Sequence, residues 1–385
     1  MNIDEDIKEI VGSEKNVLTM KLIHYFITEK NYNPIVIQGV DNEVWLENMD
    51  EDYEIVRIVS NNILNEEQLG FDIFKTNRIV KKIKKKTLTL KLKTLSIFLD
   101  LHEDIEESPK DNTMIKIDDE KDFGKNDVIL KEFPDLPKKL KTEKGKDGLE
   151  LFTKITNDIN KHNVEDSSKM EEVFKPKTPF VTYILISICI LLYVVPLLMN
   201  NGEYFLNTFS IFRPYVLKGE YYRLLTGTFL HVNIIHLAFN CYALYVIGKE
   251  LESYIGSFKY LIVYLFSAIT GSLMSLIFLG DNSISVGASG AIFGLMGSLI
   301  YFGCHYRVYL EEVLKKQIIP LVILNLIIGF LSTGIDNYAH IGGLIGGFLI
   351  TMGLGIKYKE TTFEKANGFV LSAIYVIFLI YMAFV

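Results

Sequence analysis

The sequence predicts a polytopic α-helical membrane protein whose membrane region is preceded by a small soluble α/β domain. Most of the charge, 66 of 87 charged residues, lies before residue 178. Beyond that point come seven apolar segments, at about 180–199, 229–248, 260–279, 288–304, 317–333, 338–356 and 368–385. Each is long enough, or nearly so, to cross a hydrocarbon core of about 30 Å. The first half instead carries short runs in which apolar and polar residues alternate, the pattern of half-buried strands. A chain of 385 residues has room for two domains, and its averages of 49% hydrophobic and 23% charged residues conceal the uneven split between them.

The opening MNIDEDIKEIVGSEKN is acidic and polar without an apolar centre, so no signal peptide is expected and the first half is expected to stay where it is made. Residues 1–125 read as the α/β domain. VLTMKLIHYFITEK is its first helix, NPIVIQG, NEVWLEN and YEIVRIVS are three short strands, and NEEQLGFDIFKTNRIVKKIKKK is a second helix. The acidic and apolar pairing around Asp52, Glu54 and Lys75 resembles restriction-nuclease-like folds, as an analogy of fold without a set of active-site residues. Nine residues between Lys75 and Lys93 are basic. They read as a solvated helix face, or as a surface for anionic lipid headgroups at about 1 kcal/mol per basic residue. A cytoplasmic partner or anionic lipid is therefore the expected company of this domain. Nucleic acid is not, because no stacking aromatics interleave the lysines. Residues 126–177, with PDLPKKLKTEKGKDG, read as a charged linker ending in a short amphipathic helix.

Orientation follows from the basic residues beside the membrane segments, because positive flanks stay on the cytoplasmic side. With the N-terminus cytoplasmic, the inner flanks 165–178, 249–259, 305–316 and 356–365 carry 11 Lys and Arg, and the outer loops carry only Arg213, Lys218 and Arg223. This predicts N-terminus in and C-terminus out, at the cell membrane. Cys189, Cys241 and Cys304 fall in or beside membrane segments and suggest no disulfide framework.

The polar residues inside these segments carry the chemistry. In SISVGASGAIFGLMGSLI, Ser289 stands in the first turn of the fourth segment, and Gly290, Gly294 and Gly297 share one face. In NYAHIGGLIGGFLI, His340, Gly343 and Gly347 share a face of the sixth. Two glycine seams let helix backbones approach closely, which brings a serine and a histidine at similar depth within reach. An imidazole that accepts the hydroxyl proton during attack on a carbonyl makes serine a nucleophile. Ionisable residues within a membrane are rare and point to function. In the second segment, His236 and Asn240 lie at i and i+4 on one helix face, again in the outer half. With the Ser289 backbone N–H they form a set of donors for a tetrahedral oxyanion, each worth about 2.7 to 4 kcal/mol. His231, five residues before His236, points elsewhere and reads as a structural hydrogen-bonding residue.

The motifs HVNIIHLAFN, GASGAIFG and AHIGGLIGG, in this order on the second, fourth and sixth segments, resemble the rhomboid family of intramembrane serine proteases over about residues 178 to 356. The resemblance implies a six-helix core at 178–356, with 357–385 as an additional C-terminal helix. It further implies Ser289 as nucleophile, His340 as general base, and His236 and Asn240 as oxyanion donors. Among supporting residues, His231 matches the family's structural histidine. Glu252, followed by Gly256 and Ser257, resembles its buried glutamate, and Phe293 occupies the place of an aromatic that packs on the base. Arg223 matches the arginine of a Trp-Arg pair in the first outer loop, where this chain has Tyr222 before it.

Polar groups below a membrane surface must line a hydrated cavity or pair with one another. A substrate helix must unwind there, because its carbonyls are already hydrogen-bonded. The expected activity is thus endoproteolysis of transmembrane segments near the outer face, with no cofactor and no metal. The rival functions are a transporter, whose broken helices and repeats are not seen in the two halves of the membrane region, and an inactive relative that binds membrane proteins, which would have lost Ser or His. A metalloprotease would need His-Glu-x-x-His. An aspartyl protease would need two membrane aspartates, where only Asp336 lies near a segment end.

Overall fold

The computed structural model describes residues 14–37, 40, 42–87, 91–102, 109–142, 148–278, 280–331 and 334–385. All but the last three residues of the opening stretch read for a signal peptide, and part of the charged linker, lie outside the described residues. The chain divides into two units, Met1–Ser168 and Lys169–Val385.

In the first unit, helix Glu14–His24 precedes a five-stranded sheet of order β1-β2-β3-β4-β5, built from Asn33–Ile35, Glu43–Glu47, Ile55–Val59, Thr94–Phe98 and Asn112–Lys116. The first three strands pair antiparallel and the last three parallel. Helix Glu66–Thr87 makes the crossover from β3 to β4, as a parallel pairing requires. Sequence reading placed three strands and missed β4 and β5. β4 does alternate polar and apolar residues from Thr94 to Ile97, but it follows directly on the basic run that reads as a solvated helix face. The stretch 126–177, expected as a linker, is largely helical where described. Helices Asp127–Glu132 and Leu136–Thr142 place Ile129, Phe133, Leu136 and Leu140 in the same hydrophobic cluster as Phe26, Leu46 and Ile97. Their spacing is a helical apolar stripe, which the surrounding lysines obscure.

Between the middle of β3, the start of β2 and helix Glu66–Thr87 sits a buried charge cluster. The Arg57 guanidinium donates to Glu43 at 2.7 Å and to both carboxylate oxygens of Asp72, and it lies 5.3 Å from the Trp45 ring. Lys75 also meets Glu43 and Asp72. The grouping of Lys75 with Asp52 and Glu54 is therefore not what the fold assembles, and Glu54 instead accepts the Lys93 backbone N–H at 2.6 Å.

In the second unit every apolar segment of the sequence becomes a helix. Four are long and apolar enough to cross a membrane: Phe180–Leu198, Ser257–Phe278, Leu314–Leu331 and Thr362–Phe384. The pair Arg223–Phe229 and Ile234–Ile255, bent by 94°, makes a fifth if taken as one span. Helices Ser289–His305 and Asn337–Leu354 fall outside that count, being shorter or richer in glycine and polar groups, where the sequence expected full crossings. The reason is their position. Ser289–His305 is buried along most of its length among other helices, so it faces protein rather than lipid.

Candidate active site

The glycine seams meet. A Cβ on Gly343 would lie 1.9 Å from the Gly290 carbonyl oxygen, and one on Gly347 would lie 2.0 Å from that of Gly294. Only glycines permit so close an approach of the two backbones. The result is a pair of helices whose first turns sit side by side, with Ser289 opening one and His340 in the first turn of the other.

Ser289 Oγ lies 2.8 Å from His340 Nε2. The imidazole is buried and stacks on Phe293, centroids 4.1 Å apart and planes at 7°. Stacking fixes the ring so that Nε2 faces the hydroxyl, and Nδ1 has no hydrogen-bond partner among the described residues. A neutral imidazole protonated at Nδ1 presents a lone pair to the serine, the arrangement a general base needs.

His236 and Asn240 come to the same place through Gly287. This glycine has φ of 120°, and its N–H donates to the Gly227 carbonyl at 3.0 Å. A Cβ there would meet the His236 ring at 2.7 Å and the Asn240 amide nitrogen at 3.9 Å. The strand-like turn before Ser289 therefore passes directly over both side chains. Asn233 caps the His236 helix by accepting the His236 N–H at 2.8 Å. Asn240 Nδ2 donates to the His236 carbonyl at 3.0 Å, which leaves its second amide hydrogen free for another acceptor. His231 packs edge-on against His236, with centroids 5.0 Å apart.

Glu252 and Arg223 lie apart from this group and brace the helices around it. Buried Glu252 accepts from the backbone N–H groups of Val181 and Thr182 at 2.9 and 2.8 Å, from the Thr182 hydroxyl at 2.7 Å and from Ser257 at 2.6 Å. A carboxylate at a helix start satisfies donors that have no partner within the helix. Arg223, also buried, donates to Glu220 at 2.7 Å and to the carbonyls of Asn207 and Ser210 at 2.9 and 3.0 Å. Tyr222, standing where the resemblance leads one to look for tryptophan, donates to Glu220 at 2.8 Å and to the Thr208 carbonyl at 3.3 Å. Both side chains thus fasten the loop that precedes the His236 helix.

The role of one residue escaped the sequence reading. Asp336 caps the His340 helix by accepting the Ala339 N–H at 3.0 Å, and its other oxygen accepts the Ser285 hydroxyl at 2.6 Å and that of Ser275. Its signal was an aspartate at the N-cap position of the base-bearing helix. No cluster of metal-ligating residues occurs among the described residues.

Residues 218–357 match the model of the Rhomboid domain. Over 206 residues the chain is 40% identical to the rhomboid protease GluP of Bacillus subtilis, an alignment covering 52% of this chain and 40% of that protein. It is 38% identical over 156 residues to RHOMBOID-like protein 4 of Arabidopsis thaliana, covering 40% of this chain and 39% of that one. The alignments thus span about two fifths of these relatives' length. With the putative rhomboid protease YdcA of Bacillus subtilis the chain is 31% identical over 182 residues, covering 47% of this chain and 91% of that protein. A multi-pass helical membrane unit that carries the Rhomboid domain and aligns with nearly the whole of one such relative places the chain in the rhomboid family.

Proposed function

We propose that this chain is an intramembrane serine endopeptidase that cuts transmembrane segments near the outer face of the cell membrane, with a cytoplasmic N-terminus and an outer C-terminus. The observation that carries the reading is the 2.8 Å contact between Ser289 Oγ and His340 Nε2, held by a ring stack within a glycine-seamed helix pair. In this reading Ser289 Oγ attacks the peptide carbonyl as its proton passes to His340 Nε2. The carbonyl oxygen becomes an oxyanion that accepts hydrogen bonds from His236, from Asn240 and from the Ser289 backbone N–H. The imidazolium then returns the proton to the leaving amine, and water hydrolyses the acyl-enzyme with His340 again as base. Glu252 and Arg223 keep the surrounding helices and loop in place.

The soluble unit meets anionic lipid headgroups in this account. Phe71 and Phe74 are 68% and 65% exposed on helix Glu66–Thr87, and Arg78, Lys81 and Lys82 are exposed on the same face. Rings beside cations suit a headgroup region. Neutralising the three cations together should reduce quenching of a fluorophore at Asn77 by nitroxide lipids in anionic nanodiscs. Quenching that stays unchanged would count against the assignment.

Cleavage of a single-pass substrate in liposomes, compared between wild type and Ser289→Ala, tests the main proposal. Mass spectrometry of the products locates the cut, which is expected in the outer half of the substrate's membrane segment. Equal cleavage by the two proteins would refute it.

A further inference from the structure

Asp336 does more than end a loop. Its carboxylate joins three elements: the helix that bears His340, the helix Ser257–Phe278 through Ser275, and the two-residue strand Ile284–Ser285 through Ser285. Ser285 stands four residues before Ser289, and its strand pairs with Ile211–Phe212 of the first outer loop. Both serines are buried, and both direct their hydroxyls at the same carboxylate oxygen, while the other oxygen holds the start of the His340 helix. We propose that Asp336 is a positioning residue, whose carboxylate fastens the turn leading into Ser289 to the first turn of the His340 helix and so sets the separation of hydroxyl and imidazole. The inference rests on the proposed serine chemistry.

The physical argument is one of acceptors. A carboxylate offers two oxygens and about four lone-pair sites, and three donors converge on it here. The N-terminus of a helix favours a negative charge, so the clamp is electrostatically suited to its place. The glycine seam fixes how close the two helices come, but the backbone before Ser289 is a turn that passes through Gly287 at φ of 120° and has no such seam. Without the bond at Ser285 the turn keeps only the Gly287 N–H bond to the Gly227 carbonyl and the pairing with Ile211–Phe212, so a shift of the turn moves the hydroxyl relative to a ring that Phe293 holds still. A misplacement of about 1 Å between reacting groups costs on the order of 100-fold in rate.

Asp336→Asn separates the two jobs of the side chain. Asparagine still presents one oxygen to the Ala339 N–H and keeps the helix cap, but its NH2 end cannot accept from two hydroxyls. Ser275→Ala/Ser285→Ala removes the same two bonds while leaving the carboxylate in place. Both variants of the full chain, purified in detergent, are compared with wild type in substrate cleavage and in labelling by a fluorophosphonate, with active protein counted by the labelling end point. The expected result is a fall in kcat of about 10- to 100-fold with KM within about twofold of wild type. The triple variant should be no slower than the double, because all three changes break one device, and Ser285→Thr in the Ser275-intact chain, which retains the hydroxyl, should keep most of the activity. A purely structural role would reduce the labelling end point and leave kcat per labelled serine unchanged, and that outcome would overturn the inference. If wild type labels and all variants react as fast, Asp336 is not a clamp although the serine chemistry stands. If wild type itself neither labels nor cleaves, the proposed function fails and this inference falls with it.

Discussion

The polar cluster around Arg57 and the one around Ser289 are built on opposite terms. In the first unit, Arg57 is enclosed with Glu43, Asp72 and Lys75 so that each charge faces its counter-charge. Around Ser289 the polar side chains share few bonds. Ser289 meets His340, Asn240 turns one amide hydrogen to a carbonyl, and the Nδ1 atoms of His236 and His340 have no hydrogen-bond partner among the described residues. A cluster that satisfies itself has nothing left to offer a ligand, and its value is structural. The second cluster keeps donors in reserve, as a site for a transient oxyanion requires.

The largest effect should come from breaking the second cluster. Ser289→Ala and His340→Ala are each expected to lower cleavage by on the order of 1000-fold or more while leaving the protein folded, since members of one catalytic unit fail together. Turnover within tenfold of wild type by either variant would make this cluster as inert as the first. Arg57→Met should have the converse signature. Removing the guanidinium strips its bonds from buried Glu43 and Asp72 and leaves Lys75 to balance two carboxylates, which costs up to about 3–5 kcal/mol. The single tryptophan, Trp45, lies beside Arg57 and reports unfolding of this unit alone. Its urea midpoint should fall while fluorophosphonate labelling of Ser289 is unaltered.

His236→Ala tests whether the reserve donors serve catalysis. It should lower kcat by about 100-fold with little change in KM, and Asn240→Ala should be milder, because water can replace an amide. A collapse in substrate affinity at constant kcat would make the pair a binding element. Gly343→Ala probes the frame instead. Its Cβ would strike the Gly290 carbonyl, a backbone atom that cannot turn aside, so about 1–3 kcal/mol of stability should be lost along with activity. A thermal midpoint equal to that of wild type would show that the helices do not need to be so close.

The smallest expected effect is one of pH on the first cluster. Burial pushes the Glu43 carboxyl up, but hydrogen bonds and charge from Arg57 and Lys75 outweigh it and hold the group below the usual carboxylate range. A depressed folded value means that the contribution is present above the unfolded value of about 4.3 and is lost as pH falls through the folded one. The Trp45 unfolding midpoint should therefore decline below about pH 4, and less steeply in Glu43→Gln. Equal declines would show that Glu43 does not carry the effect.

The same comparison explains what could be read from the sequence. The nearness of Ser289 and His340 was legible because close helix packing is written locally, as glycines at helical spacing. The ion cluster was not, because Arg57, Glu43, Asp72 and Lys75 are joined by sheet register and a crossover helix rather than by any motif. Asp336 escaped for a similar reason, since its serine partners are 51 and 61 residues away and carry no pattern of their own. The strand β4 was hidden by the basic run that leads into it, and the helices at 127–142 by their lysines.

The measurement that bears most directly on the central claim is the site and the dependence of covalent modification by a fluorophosphonate. The purified full chain is treated in detergent and mapped by peptide mass spectrometry. The account predicts one adduct, on Ser289, formed by wild type, reduced at least about 100-fold in rate in His340→Ala, and absent from denatured protein. An adduct on another residue, or an equal rate of Ser289 modification in His340→Ala, would contradict the assignment of a serine activated by its neighbouring imidazole.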